Sequence, residues 1–195
     1  MKKAIFISFA LALAVFFQPV FAAQYAVDKA HSNVGFSVKH MVISNVKGNF
    51  GDFAGTFSFD EKSKALTAAN AVIKVASVNT NEPKRDDHLR SPDFFDAQKF
   101  PEMSFVMKKA AATGDKLRVT GDLTIRGVTK EVTLEGEFLG AVKDPWGNQR
   151  AGFTASGTIN RNDFGVSFNK VLETGGLVVG NEVKLSLEIE GVQQK

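Results

Sequence analysis

The sequence contains no cysteine among its 195 residues. This absence excludes disulfide bonds, zinc sites built from thiolates and a lipid anchor attached to an N-terminal cysteine. A folded chain without such cross-links must draw its stability from a buried core, and the chain is long enough to form one in a single domain.

The sequence also lacks a strong excess of charge of either sign. Lysine and arginine together number 24 against 21 aspartate and glutamate residues, and Lys2 and Lys3 belong to the N-terminal leader. Without those two lysines the balance is 22 against 21. A protein that binds the phosphate backbone of nucleic acids would show a basic stripe, so we expect no nucleic-acid partner.

The motifs of several common enzyme classes are missing. There is no glycine-lysine phosphate loop, dinucleotide fingerprint, serine elbow or zinc-protease helix motif. The histidines, His31, His40 and His88, do not have the spacing of a known zinc site, and strand alternation places His31 and His40 on opposite faces. We therefore predict neither a metal site nor a cofactor.

The N-terminus has the pattern of a secretory signal peptide. Lys2 and Lys3 precede an uncharged apolar run that ends with Val20 and Ala22 at the small-residue positions that a signal peptidase requires. Gln18 and Pro19 interrupt this run and no stop-transfer charges follow, which argues against a membrane anchor. We predict that residues 1–22 are cleaved, with Ala23 as the alternative site, that the mature domain spans 23–195, and that it is periplasmic.

The rest of the sequence alternates between apolar and polar residues with a period of two. Val34, Phe36 and Val38 share one face of a predicted strand, and the same pattern recurs in residues 117–126, 132–138 and 183–189. We count about eight or nine strands, with a tight hairpin turn near residues 126–130. Such strands must close into a barrel or pack as a sandwich.

The inward residues favour a barrel with room inside. Phenylalanine and glycine dominate the inward positions, and Ala155 and Gly157 leave space rather than fill it. About eight strands form a barrel wide enough to hold one slender ligand. We predict an all-β fold with a single extended antiparallel β-barrel. The candidate tail-binding residues in its cavity are Phe36, Val38, Phe57, Phe59, Ile73, Val75, Phe95, Phe105, Leu123, Phe138, Phe153 and Phe168.

One long interval interrupts the strands, and we predict a short helical or loop insertion near residues 82–100, across the mouth of the barrel. A charged block precedes the apolar residues Phe94, Phe95 and Phe100. Guanidinium groups suit phosphate or carboxylate oxygens, so the block could hold a ligand head group. The alternatives are a cluster whose aspartates pair with its own arginines, or a catalytic acid and base. The candidate mouth residues are His40, Arg85, Asp86, His88 and Arg90.

The sequence resembles the YceI-like family of exported, polyisoprenoid-binding proteins along the whole mature chain. The blocks that carry the resemblance include HSNVGFSVKH (31–40), SVNTNEPKRDDHLRSPDFF (77–95), KFPEMSF (99–105), GDLTIRGVTKEVTL (121–134) and DPWGNQRAGFTASGTINRNDFG (144–165). The resemblance implies a lipocalin-like barrel around an elongated apolar cavity, a periplasmic location and a homodimer.

The resemblance also implies a ligand, namely an isoprenoid or other long-chain lipid, quinone-like or carrying a pyrophosphate. We interpret the chain as a protein that binds and transports or stores such a lipid. Two alternatives stay open. One is an enzyme that modifies an isoprenoid with Arg85, Asp86 and His88, and the other is a structural β-protein with a solid interior.

Overall fold

The computed structural model describes residues 22–171 and 176–194. The predicted signal peptide lies outside these residues, apart from Ala22. Helix α1 spans Pro83–Arg90, and three short 3-10 turns occupy Lys29–His31, Val75–Ser77 and Arg161–Phe164. The strands are β1 (Ala23–Val27), β2 (Asn33–His40), β3 (Ser44–Phe50), β4 (Phe53–Asp60), β5 (Ala65–Lys74), β6 (Val78–Asn79), β7 (Glu102–Thr113), β8 (Lys116–Ile125), β9 (Val128–Lys143), β10 (Gln149–Asn160) and β11 (Val179–Gln193).

Eight strands close into an antiparallel barrel in the order β1, β4, β5, β7, β8, β9, β10, β11. The ring closes where β11 pairs back with β1, with Tyr25 opposite Gln193 and Val27 opposite Gly191. The first half of β11 pairs instead with β2, which continues to β3 and β6. The predicted all-β, lipocalin-like barrel of about eight strands is confirmed.

The connections between strands gather at two opposite ends because neighbouring strands run antiparallel. We name as the closed end the turns 61–64, 114–115 and 144–148. We name as the lid end the β2–β3 loop 41–43, residues 80–101, the β8–β9 turn 126–127, and residues 161–171 with 176–178. The predicted hairpin is confirmed, since Ile125 lies opposite Val128.

An aromatic cluster fills the closed end. Tyr25 and Phe59 are fully buried, and the Tyr25 ring stacks on Phe57 with centroids 5.0 Å apart. Phe59 lies 4.6 Å from Phe138 and 5.0 Å from Phe153, between ring centroids. Burial raises the pKa of the Tyr25 hydroxyl, and its hydrogen bond to Glu61 adds to the shift. Edge and stacked aromatic contacts of this kind make a rigid plug.

The predicted insertion forms a lid over the other end, and we use "lid" for residues 83–100. Helix α1 begins with Pro83 in its first turn, and the side chain of Glu82 accepts a hydrogen bond from the Lys84 amide. The chain then turns back, with the amides of Phe95 and Ala97 bonding to the carbonyls of Leu89 and Arg90. This fold-back carries Leu89, Phe94 and Phe95 toward the barrel interior. No helix in the described part of the chain has the length and hydrophobicity needed to cross a bilayer.

Candidate ligand cavity

An apolar cavity of about 290 Å³ lies inside the barrel. It is bounded by members of the closed-end cluster, Phe57 and Phe153, and on the lid side by Leu89, Phe94 and Phe95. Strand alternation produces the wall, because every second residue of each strand points inward. Its volume is close to the lower end of the range for small-molecule sites, roughly 300–1,000 Å³.

Most of the predicted tail residues line this cavity. The others occur in neighbouring packed clusters: Phe59 and Phe138 in the closed-end plug, Val75 in the core near the lid, and Phe168 beside Phe94. Alternation identifies which face a residue occupies, but not how far along the axis the packing becomes solid. The predicted residues in the wall are Phe36, Val38, Phe57, Ile73, Phe95, Phe105, Leu123 and Phe153.

The sequence reasoning missed wall residues of two kinds. Val179, Val183 and Leu185 of β11 lie in the wall, although their strand was predicted from its alternation. Leu89 and Arg161 come from irregular or helical segments, where a period of two gives no signal. The alternation of β11 marks the inward face of that strand, and this signal could have identified its wall residues.

Glycine allows one close approach in the wall. A Cβ atom on Gly121 would lie 2.5 Å from the Phe105 ring and 2.5 Å from the Val106 carbonyl oxygen. Because the Val106 carbonyl cannot yield without moving the β7–β8 pair, this position requires glycine, and the absence of a side chain leaves room for the Phe105 ring.

The charged block of α1 is largely engaged with neighbouring backbone and side chains. Asp86 is buried and accepts hydrogen bonds from the amide (2.9 Å) and hydroxyl (2.5 Å) of Thr80. Arg85 donates to the Thr80 hydroxyl at 2.8 Å and to its carbonyl at 2.9 Å. This Thr80 cluster ties the start of α1 to the end of β6.

Arg90 and His88 are held in the same way. Arg90 donates to the carbonyls of Ala76 and Val78, at 2.8 Å each, and forms an ion pair with Asp87. His88 Nε2 is 2.9 Å from Asp93 Oδ2, and its ring contacts Phe94 and Phe168 edge-on. Of the pairing between aspartates and arginines, the block shows the Asp87–Arg90 ion pair, whereas Asp86 bonds to Thr80 and Asp93 to His88.

None of the predicted mouth residues belongs to the cavity wall. Asp86 and Arg90 line a separate, polar pocket with Ser77, Asn79 and Asp87. His40 ends β2 opposite Val179, two residues beyond the wall residue Val38. A head-group role for the block stays a prediction, and the hydrogen bonds of Arg90 predict that Arg90→Ala loosens the lid.

Two other arginines fasten the lid end through main-chain carbonyls. Arg126 donates to the carbonyls of Phe94 and Gly165, at 2.8 and 3.0 Å, and so joins the lid to the segment after β10. Its backbone has a φ of 52° in the two-residue turn with Gly127, which orients the side chain across that end.

Arg161 is the charged residue in the cavity wall, and it is only 5% exposed. Its guanidinium donates to the carbonyls of Val166, Phe168, Val179 and Gly180, over 2.6–3.2 Å. Burial lowers the pKa of this group. Within the described residues no carboxylate lies within salt-bridge distance of it, so backbone oxygens solvate the charge.

One cluster in the described residues has metal-ligand geometry, formed by Asp28, His31 and Glu190. Arg150 already occupies it, at 2.8 Å from Asp28 and 2.5 Å from Glu190. Asp28 accepts hydrogen bonds from Arg150 and His31, and these lower its pKa to about 2. The arginine supplies the positive charge that a metal would bring, so this cluster is an ion-pair network.

A closed barrel with an apolar cavity beneath a lid defines a lipocalin-like class of β-protein. The family model described as a YceI-like domain matches residues 25–191, so this chain belongs to the YceI-like family. Protein YceI of Escherichia coli O157:H7 is 45% identical over 176 residues, which cover 89% of each chain.

Two solved structures illustrate the range of the fold. The Campylobacter jejuni YCEI protein is 39% identical, with a TM-score of 0.71 over 86% of this chain and 96% of that one. A polyisoprenoid binding domain from Saccharophagus degradans, implicated in plant cell wall breakdown, is 17% identical, with a TM-score of 0.64 over 89% and 99% of the two chains. At that identity the likeness establishes the fold alone.

Proposed function

We propose that this protein binds a polyisoprenoid or another long-chain amphiphilic lipid, with the apolar tail inside the barrel. The observation that carries the proposal is the cavity, whose wall is built almost entirely from hydrocarbon side chains between the plug and the lid. A dry apolar cavity selects hydrocarbon, because a polar ligand would lose its hydration there without compensation.

The family supports the same reading. The chain belongs to the YceI-like family, and a protein of the same fold is named for polyisoprenoid binding. The energetics agree, because burying a methylene group is worth roughly 0.8 kcal/mol. About ten such groups would supply roughly 8 kcal/mol, which corresponds to micromolar binding before ordering costs are subtracted.

We also propose that the protein carries or stores the lipid in the periplasm, that it forms a homodimer, and that it needs no cofactor beyond the bound lipid. A quinone-like or pyrophosphate-bearing isoprenoid fits the predicted ligand class. The enzyme alternative draws no support from the geometry, since Arg85, Asp86 and His88 lie outside the cavity wall and are engaged with Thr80 and Asp93.

A pair of adjacent substitutions tests the location of the tail. Ala69 lines the cavity, whereas Ala68, the preceding residue of β5, is exposed on the outer face. Delipidated wild type, Ala69→Phe and Ala68→Phe are titrated with a polyprenol and with oleate. We expect Ala69→Phe to weaken polyprenol binding about tenfold or more, since the ring displaces buried methylenes, and Ala68→Phe to bind like the wild type.

Two results would overturn the proposal. One is the absence of binding of either lipid to folded wild-type protein, verified by circular dichroism. The other is equal affinity in both variants, because the tail would then lie outside the barrel. Preference for oleate over the polyprenol would keep the cavity and change the lipid class.

A further inference from the structure

The β2–β3 loop presents three consecutive apolar side chains to solvent, and we call Met41, Val42 and Ile43 the apolar tip. Their exposed fractions are 39%, 61% and 85%. Scattered exposed apolar residues are ordinary, but three in a row at the end of a hairpin form a projecting hydrophobic surface. Val171 is also exposed, by 71%, and lies near the tip. It forms a β-bridge with Leu177, and the carbonyl of the next residue, Val178, accepts a hydrogen bond from the Met41 amide.

The backbone holds the apolar tip in an unfavourable conformation. His40 lies opposite Ser44, and Met41 and Val42 have φ values of 49° and 66°. Turns that need positive φ normally use glycine or asparagine, and a β-branched residue there is strained. Strain combined with exposure is typical of functional segments, and here it points to contact with something outside the molecule.

Exposed lysines lie behind the apolar tip on the outer face of β2, β3 and β11. Lys47 lies opposite Ser37, which in turn lies opposite Lys184, and Lys39 precedes the tip by two residues. Among residues 22–171 and 176–194, none of these three lysines has a carboxylate within 4 Å, whereas Lys64 and Lys108 are paired. Glu182 is exposed on the same face of β11, but the three lysines outweigh its negative charge, so the excess is positive.

The apolar tip belongs to the lid end, beside the cavity. Val38, which lines the cavity, is three residues from Met41 on β2, and Val179, also in the wall, is opposite His40. Membrane-active surfaces combine apolar side chains that enter the acyl boundary with basic groups that contact anionic head groups. The tip and its lysines have both properties at the end of the barrel where the lid lies.

We propose that the apolar tip inserts into the surface of an anionic phospholipid membrane, with Lys39, Lys47 and Lys184 on the head groups, and so presents the lid end to the bilayer. This surface goes beyond the proposed function, because membrane binding is measured whether or not the cavity holds a lipid. A failure of vesicle binding would therefore leave the cavity proposal untouched.

Co-sedimentation with vesicles of phosphatidylglycerol or phosphatidylcholine tests the surface. We expect Ile43→Asp to weaken binding to phosphatidylglycerol vesicles roughly tenfold or more. Replacing the three lysines by glutamine should lower the affinity for phosphatidylglycerol vesicles roughly fivefold per lysine. It should also abolish the preference for phosphatidylglycerol over phosphatidylcholine. Val142→Asp, an exposed apolar position near the closed end, is the matched control and should bind like the wild type. Absence of binding by the wild type, or equal losses in Ile43→Asp and Val142→Asp, would overturn the proposal.

Tryptophan fluorescence tests the orientation independently. Trp146 is the sole tryptophan of the sequence and lies, 81% exposed, in a closed-end turn. Its emission should not shift when the wild type binds phosphatidylglycerol vesicles, whereas the double variant Ile43→Trp with Trp146→Phe should show a blue shift. A blue shift of Trp146 in the wild type would put the closed end on the membrane and overturn the assignment.

Discussion

The two ends of the barrel are held together by different interactions. At the closed end, aromatic rings interlock around Phe59, and Arg150 is paired with the carboxylates of Asp28, Asp144 and Glu190. At the lid end, Arg126 and Arg161 donate to main-chain carbonyls instead.

This difference assigns the ends different tasks. Apolar packing in the plug is lost only when many contacts break together, whereas single hydrogen bonds across the lid can break and re-form locally. We therefore expect a ligand to enter the cavity at the lid end, while the closed end supplies stability. Substitutions in the plug and substitutions across the lid separate these two roles.

The largest expected effect is on the closed end. Phe59→Ala removes a fully buried ring that contacts Phe138 and Phe153, and should lower the free energy of unfolding by about 3–5 kcal/mol. Chemical denaturation measures it. Phe95→Ala, in the cavity wall at the lid, should cost less because its ring is partly exposed. A larger loss in Phe95→Ala would reverse the assignment of the ends.

Arg161→Met should have the next largest effect. The substitution leaves the carbonyls of Val166, Phe168, Val179 and Gly180 without this donor, and an unsatisfied buried group costs about 1–3 kcal/mol. Hydrogen exchange should accelerate in residues 161–168 and 179–183 and stay unchanged in β1. Uniform acceleration across the barrel would show that Arg161 supports the whole fold.

Arg126→Met should release the lid at a small cost in stability, about 1 kcal/mol for its two hydrogen bonds. We expect the dissociation rate of a bound polyprenol to rise several-fold, since the lid loses its link to Gly165. Arg118→Met, on the outer face of β8, the strand that precedes the turn with Arg126, is the control. An unchanged dissociation rate in Arg126→Met would mean that the ligand leaves by another route.

The last expected effect concerns the pH dependence of stability and belongs to the closed end. The pKa of Asp28 falls from its ordinary 3.8 to about 2, because Arg150 and His31 bond to the ionised form. A depressed pKa in the folded state stabilises the protein above the unfolded value, and this contribution is lost as the pH falls from about 4 to about 2. Thermal melts of Asp28→Asn should lack this part of the pH dependence, and an unchanged acid profile would contradict the role given to the network.

Sequence alone predicted the fold well, because alternation at period two is a direct consequence of strand geometry. The hairpin turn, predicted near residues 126–130, follows from the alternation on either side of it, and the insertion that carries α1 was predicted because alternation stops there. The position of a residue along the barrel axis was not predictable from alternation. Phe59 and Phe138 were therefore predicted to line the cavity, whereas they pack in the plug.

The polar residues of the site were the least predictable part. Charge density drew the interpretation to Arg85, Asp86 and Arg90, whereas local hydrogen bonds to Thr80, Ala76 and Val78 occupy them. Arg161, the arginine in the cavity wall, stands in a short turn after β10, and its partners are backbone carbonyls that no sequence pattern marks.

Native mass spectrometry of the full chain, expressed in bacteria and purified without detergent, is the measurement that decides whether the cavity holds a lipid. We expect a bound mass that organic extraction removes and identifies as a long-chain apolar lipid, reduced in Ala69→Phe and retained in Ala68→Phe. Wild-type protein that carries no lipid, and takes up none when polyprenol is added, would contradict it.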